Sequence, residues 1–318
     1  VTITVNGEND PPTASPDMDT ITENAPPLTV DVLANDTDPD ASDMPSLDSI
    51  DMVTVSGLSS DPNLVTATVD IVPSPGAVGG QIAFDPMSDF DELDDGDTAT
   101  VTIDYTMSDD NGVTSSSVLT IDVTGENDDP TVTVAVDPVT VDEGDTATNN
   151  GTFTDADADD TVTITASVGS ISQDPGNSGN WSWSLVNTDG PTDTQVVTIT
   201  ATDSQGQMDV QTFQLNVNNV PPTATADSYT VDEDSVLTAT AGGSPAGLLD
   251  NDTDPANPNP PTNDPLVITA LNNVTTGAPF SSTSMLGAQV TLQADGSFTY
   301  DPTNAAALQA LSNGETLD

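Results

Sequence analysis

Acidic residues recur at matching places along this 318-residue chain, in arrangements suited to holding a hard divalent cation. A glutamate comes first, as Glu23 in Thr22-Glu-Asn24, Glu143 in Asp142-Glu-Gly144 and Glu233 in Asp232-Glu-Asp234. Further on stands an alternating loop: Asp36, Asp38 and Asp40, then Asp155, Asp157 and Asp159, then Asp252 and Asp254. Ahead of a closing strand-like run is an Asp-Gly turn, with Asp109 in Ser108-Asp-Asp-Asn-Gly112 and Asp203 in Thr202-Asp-Ser-Gln-Gly206. Two linker phrases complete the set, Asn9-Asp10-Pro11 and Asn127-Asp128-Asp129-Pro130. Calcium takes about six to eight oxygen ligands in flexible geometry, from carboxylates, Asn side chains and carbonyls, whereas magnesium prefers to keep its waters. Softer metals find no thiolate or imidazole here. Scattered acids such as Asp51, Asp70 and Asp122 read instead as solvated strand faces.

The charge balance bounds the rest. The chain has 53 Asp and Glu, no Lys or Arg and no His, so no salt bridge between side chains can form. Without Cys there is no disulfide or thiolate. Without Lys there is no Schiff base, and without His the usual general base and zinc ligand are missing. Nucleic acid and anionic membranes would be repelled. No apolar run is long enough to insert in a membrane. Paired carboxylates can run glycoside hydrolysis, but acids are everywhere here and no enzyme is expected. Low hydrophobicity with high net charge also favours disorder, so folding is expected to depend on ionic conditions.

The elements that must position these acids are strands. Runs such as Ser49–Val55, Ala99–Tyr105, Ser117–Val123, Gln195–Ala201 and Gln211–Val217 alternate apolar with Thr, Ser, Asp or Gln, placing one face in a core. Turn residues separate them, as in Ser74-Pro-Gly76 and Asp94-Asp-Gly-Asp97. The expected fold is all-β: tandem antiparallel β-sandwiches in a linear array. Residues 1–12 read as the closing strand and linker of a preceding domain. A sandwich is expected over 13–130 and another over 131–220, and 221–318 reads as a third lacking its last two strands. This phase suggests a piece of a longer array, or one copy's strand completing the next. A short turn or helix is expected over 302–311. Trp181 and Trp183 share one strand face, and core packing is the usual fate of Trp, although an exposed pair would stack on sugars. Asn-x-Ser/Thr sites at Asn35, Asn150, Asn180, Asn251 and Asn273 follow largely from turn and strand composition.

The early Glu, the Asp-x-Asp loop, the Asp-Gly hairpin and the Asn-Asp linker resemble the calcium set of cadherin-type repeats. Val32-Leu-Ala-Asn-Asp-Thr-Asp-Pro39, Tyr105-Thr-Met-Ser-Asp109 and Gly125-Glu-Asn-Asp128 are similar to bacterial cadherin-like (VCBS-type) tandem repeats of large secreted adhesins and surface fibres. The segment 131–220 resembles an Ig-like or PKD-like module. The resemblance implies calcium between consecutive domains, held at the entry joint by Asn9, Asp10, Asp36, Asp38 and Asp109. At the first-to-second joint it implies Glu23, Asn127, Asp128, Asp155, Asp157 and Asp203. At the second-to-third joint Glu143, Asp252 and Asp254 remain, but Asn218-Asn-Val-Pro221 carries no acid, implying a weaker site or none. The Leu-Asp-Arg-Glu motif of animal cadherins is missing, which leaves one bridging carboxylate per site unaccounted for. The resemblance implies an extracellular spacer, stalk or fibre whose partners are neighbouring repeats of the same chain. Identical chains in a filament, or a carbohydrate read by the middle segment, are the alternatives.

Overall fold

The computed structural model describes residues 1–59, 66–73, 80–186, 188–255, 266–271 and 278–317. The expected turn at Ser74–Gly76 and the site at Asn273 lie outside the described residues. Every regular element among the described residues is a strand, and no helix is long and apolar enough to cross a membrane. The chain forms two compact units, Val1–Ala135 with Asn150–Trp183 and Thr198–Thr212, and Val136–Asn149 with Ser184–Val197 and Phe213–Asp318. The division runs through the segment 131–220.

In the first unit, seven strands precede residue 125: β1 (Asp17–Thr22), β2 (Leu28–Val30), β3 (Ser46–Ser56), β4 (Thr68–Val72), β5 (Gln81–Asp85), β6 (Thr98–Ser108) and β7 (Thr114–Thr124). They form a sheet of order β1-β7-β6-β3 and a second of order β2-β5-β4. Alternation drives the packing: Ala99, Val101, Ile103, Tyr105 and Met107 of β6 are buried, with partly exposed Thr and Asp between them. Phe84 and Phe90 meet edge to face at 5.9 Å inside this core. The Tyr105 hydroxyl lies within 3.2 Å of three acceptors, Ser15 O, Asp17 Oδ2 and Val32 O.

One departure from the antiparallel expectation positions the site. β1 runs parallel to β7, with Thr22 opposite Thr124. The pairing lets Glu23 N–H donate to Thr124 O at 3.0 Å, so the glutamate stands beside the linker that leaves β7. A second departure concerns residues 1–5. They alternate like a strand but pair with none of the described strands, and Val1, Ile3 and Val5 are fully or largely exposed.

The following strands are β8 (Thr131–Val132), β9 (Val139–Asp142), β10 (Ala147–Thr154), β11 (Thr163–Ala166), β12 (Ser170–Gln173), β13 (Ser178–Leu185), β14 (Gln195–Thr202) and β15 (Met208–Asn218). Their sheets have the orders β12-β13-β10-β8 and β11-β14-β15-β9. Trp181 and Trp183 are each 1 % exposed, and their Nε1–H groups donate to Thr133 O and Val168 O. The pair is core, which removes the exposed stacking platform that the carbohydrate alternative needs.

In the second unit β9 runs parallel to β15, with Asp142 opposite Asn218, repeating the β1–β7 arrangement. β16 (Leu237–Ala239), β17 (Phe280–Thr283), β18 (Gln289–Leu292) and β19 (Phe298–Asp301) form an antiparallel sheet of order β16-β19-β18-β17. Tyr229 packs edge to face on Phe298 at 4.9 Å. Residues 302–311 form successive turns that bury Ala305 and Leu308.

Gly125 fixes the start of the linker after β7. Its N–H donates to Asp97 O at 3.0 Å, and a Cβ there would lie 2.4 Å from both Leu93 O and Asp94 O. Gly7, at the matching place in the first linker phrase, has nothing within 4 Å. Gly125→Ala is expected to lower stability by about 2 kcal/mol or more through backbone displacement, while Gly7→Ala changes it by less than about 0.5 kcal/mol. Denaturant midpoints of the two variants check this. Equal effects would contradict it.

Candidate metal centre

Two carboxylate clusters in the first unit are built alike. Asp38, Asp43 and Asp109 each bring an oxygen within 4.8 Å of the others, and so do Asp155, Asp160 and Asp203. The hydrogen bonds around them repeat. Asn9 Nδ2 donates to Asp109 Oδ2 at 2.8 Å, and Asn127 Nδ2 to Asp203 Oδ2 at 3.1 Å. Asp10 N–H donates to Asp40 Oδ2 at 2.6 Å, and Asp128 N–H to Asp157 Oδ2 at 2.8 Å. Asp40 N–H donates to Asp38 Oδ1, as Asp157 N–H does to Asp155 Oδ1.

These bonds offset the two loops by two residues. Asp38 matches Asp155, and Asp40 matches Asp157. Asp36 is engaged elsewhere. Its Oδ1 accepts the Ser15 N–H at 2.7 Å, just as Asp252 Oδ1 accepts that of Thr225. The structure thus brings Asn9, Asp38 and Asp109 together at the entry joint, with Asp10 tied in through its backbone and Asp36 to one side. Asp40 and Asp43 also belong to this joint; Asp40 stands in the alternating loop, while Asp43 lies outside the recurring acids. Asn111 joins them, its Nδ2 donating to Asp43 Oδ2 at 2.8 Å and bonding Asn9 Oδ1 closely.

At the first-to-second joint all six expected residues gather, and burial is deeper. Glu23 is 2 % exposed and Asp157 0 %, with Asp155, Asp160 and Asp203 also buried. Asp203 Oδ1 is satisfied by the N–H groups of Gln205, Gly206 and Gln207. Glu23 Oε1 accepts the Glu126 N–H at 2.8 Å. Five other oxygens are buried without a hydrogen-bond partner: Glu23 Oε2, Asn127 Oδ1, Asp155 Oδ2, Asp157 Oδ1 and Asp160 Oδ2. An unpaired buried carboxylate is costly, and none of these side chains has a cationic partner anywhere in the chain.

The loop between β5 and β6 also reaches this joint. Glu92 O accepts the Ala158 N–H at 3.2 Å, and Asp94 Oδ2 bonds Gln205 Nε2 closely. Asp91 lies in the field of Glu23 and Asp128, and Asp94 in that of Asp157 and Asp160. Asp91, Asp94 and Asp160 lie outside the recurring phrases: Asp91 and Asp94 stand in the loop before β6, and Asp160 falls one residue past the alternating loop. The match of Asp160 with Asp43 becomes visible only when Asp38 is aligned on Asp155.

The electrostatic strain shows in the acidities. Burial, then repulsion from Asp128, Asp157 and Asp91, pushes Glu23 up to about 8 despite the Glu126 N–H. Burial and neighbouring acids also raise Asp157 to about 7 and Asp155 to about 6. Asp109 moves the other way, held down first by the Asn9 amide and also by backbone N–H groups. Such a set of hard oxygens, stranded in pairs and triplets, fits calcium in donor type and flexibility.

At the second-to-third joint the residues do not converge in this way. Glu143 is buried, but both of its oxygens accept backbone N–H groups, from Val220 and Gly190. Asp252 is engaged with Thr225, and Asp254 is buried. No cluster of three carboxylates lies there among the described residues.

Comparison with known proteins adds the following. A family model described as the bacterial Ig domain matches residues 9–122 and 218–312, more than half of the chain. The chain matches none of the curated proteins. Among solved structures it is similar to the protocadherin GammaB4 extracellular domain, at 18 % identity and TM-score 0.40 over 94 % of this chain and 45 % of that one. It is also similar to protocadherin gammaB7 EC3-6, at 19 % identity and TM-score 0.40 over 92 % and 65 %. DIP-gamma IG1+IG2 matches at 14 % identity and TM-score 0.29, over 64 % and 95 %.

The raised acidities carry a sign. A carboxyl whose folded value lies above its unfolded one holds its proton more tightly when folded. Its contribution is full below about pH 4 and is lost as pH rises toward about 8, the value of Glu23. In chelator, the melting temperature is therefore expected to fall steadily from pH 5 to pH 8. A rise over that range would contradict the assignment.

Proposed function

The chain belongs to the bacterial Ig domain family, and from that premise we propose that it is a calcium-stiffened structural repeat region. It serves as the spacer, stalk or fibre of an extracellular adhesin or surface filament. The observation that carries this reading is the group of buried carboxylate oxygens without partners on Glu23, Asp155, Asp157 and Asp160, in a chain with no basic side chain.

These oxygens come from both sides of one linker. Glu23 follows β1, Asp128 lies in the linker, and Asp155, Asp157, Asp160 and Asp203 belong to the loops beyond it. Without a counter-ion they repel one another and hold protons. When bound, calcium supplies the positive charge that lets them be close and ionised together. The chain's own part is to prearrange them: parallel β1–β7 pairing seats Glu23, Gly125 packs the linker against the Leu93–Asp94 backbone, and Asn127 ties it to Asp203. The entry joint, with Asp38, Asp43 and Asp109, is a second such place. The role is mechanical, and no catalytic part is assigned to any residue. The VCBS-type repeats of adhesins, which the linker and loop phrases resemble, supply the setting.

Asp157→Asn separates the two states of this joint. Removing one buried charge should raise the melting temperature in chelator, because repulsion falls. The same change should cut the gain on adding calcium, which for the native chain is about 2.7 kcal/mol per site at a hundredfold excess over the dissociation constant. Thermal melts of both proteins, with chelator and with calcium, test this. An unchanged calcium gain in the variant would sink the reading.

A further inference from the structure

Glu143 occupies the same station as Glu23, immediately after the strand that pairs in parallel with a closing strand. In both places the glutamate N–H donates to the last paired residue, Thr124 or Asn218. In both, one carboxylate oxygen accepts the N–H two residues further on, that of Glu126 or Val220, each at 2.8 Å. The second oxygen differs. Glu23 Oε2 is buried without a partner, whereas Glu143 Oε2 accepts the Gly190 N–H at 3.2 Å.

Local sequence explains how that amide arrives. Gly190 lies against the linker so closely that a Cβ would sit 2.8 Å from Asn218 C and 2.9 Å from Asn219 N. Any side chain would push its loop away and withdraw the donor. The linker itself is shorter by two residues, with five steps from Asn218 to Thr223 against seven from Thr124 to Thr131. Val220 stands where Asp128 and Asp10 stand when the linkers are counted back from those threonines and Thr13. Gly144, next to Glu143, packs against Pro255, leaving 2.8 Å between a would-be Cβ and the proline Cβ.

We propose that Glu143 and the Gly190 amide form a metal-independent clamp on the linker at 218–222, a backbone N–H meeting the oxygen that its counterpart Glu23 leaves free. Glu143 is thus a positioning residue, and this joint keeps its geometry without a divalent ion while the joint at Glu23 does not. The contrast rests on the calcium reading of the first joint, but the clamp itself does not.

The test uses the intact chain as native, E143Q and E23Q proteins. A glutamine amide keeps one acceptor oxygen and replaces the other with a donor, so it cannot receive both N–H groups. Hydrogen exchange is read at Gly190 and Val220 in chelator, and bound calcium is counted by titration. Both amides should be protected in the native chain without calcium. In E143Q at least one should exchange on the order of tenfold faster. E143Q should bind as many ions as native, and E23Q fewer. Unprotected amides in the native chain, or a lower ion count in E143Q, would overturn the clamp. An unchanged count in E23Q would overturn the calcium reading instead, leaving the clamp to be decided by exchange.

Discussion

A carboxylate taken out of water must be met by something, and in this chain the choice of partners is short. With no Lys, Arg or His, only backbone N–H groups, neutral side-chain donors, protons and dissolved cations are left. Much of the structure is a record of how each acid solves this. Asp203 gathers three amides on one oxygen, Asp89 holds the N–H groups of Thr66 and Ala67, and Asp109 takes those of Asn111 and Val113. Asp36 and Asp38 each keep one buried oxygen without a partner, and at the joint around Glu23 the shortage of local donors is greatest. There carboxylates from three separate stretches, at Glu23, at Asp155, Asp157 and Asp160, and at Asp203, are buried together beside half-buried Asp128 with too few amides to meet them.

Seen this way, the two joints are two solutions of one problem. Both start from a parallel pairing that plants a glutamate beside the linker. At Glu143 a glycine-bearing loop brings a second amide, and the carboxylate is complete. At Glu23 the corresponding loop carries Asp91, Glu92 and Asp94 instead, adding charge where the other joint adds a donor. A linker two residues longer makes room for that charge. Stiffness in such an array is therefore local, set joint by joint by the balance of amides against acids.

Much of this was legible in the sequence, and the limits have physical causes. Strands such as β6 and β7 announce themselves because period-two burial of Val101, Ile103, Tyr105, Leu119 and Ile121 leaves a plain alternation. β1 does not, because its run Asp-Met-Asp-Thr-Ile-Thr buries only Ile21, and its parallel pairing has no turn to mark it. The expected ligands gather at the Glu23 joint because their phrases are short and rigid. Asp160 and Asp91 were missed because their proximity is a product of loop folding rather than of spacing. The fate of Glu143 was the least legible of all: a backbone amide has no letter in the sequence, and only Gly190 hints at the close approach.

Everything proposed for the joints requires that these acids form sites for a divalent ion rather than a diffuse charge that any salt would screen. The most direct measurement is the melting temperature of chelator-stripped protein titrated with calcium, set beside sodium at equal ionic strength. A specific site predicts a saturable rise with calcium at concentrations where matched sodium does little, since screening depends on ionic strength alone. Superimposable calcium and sodium curves would contradict it.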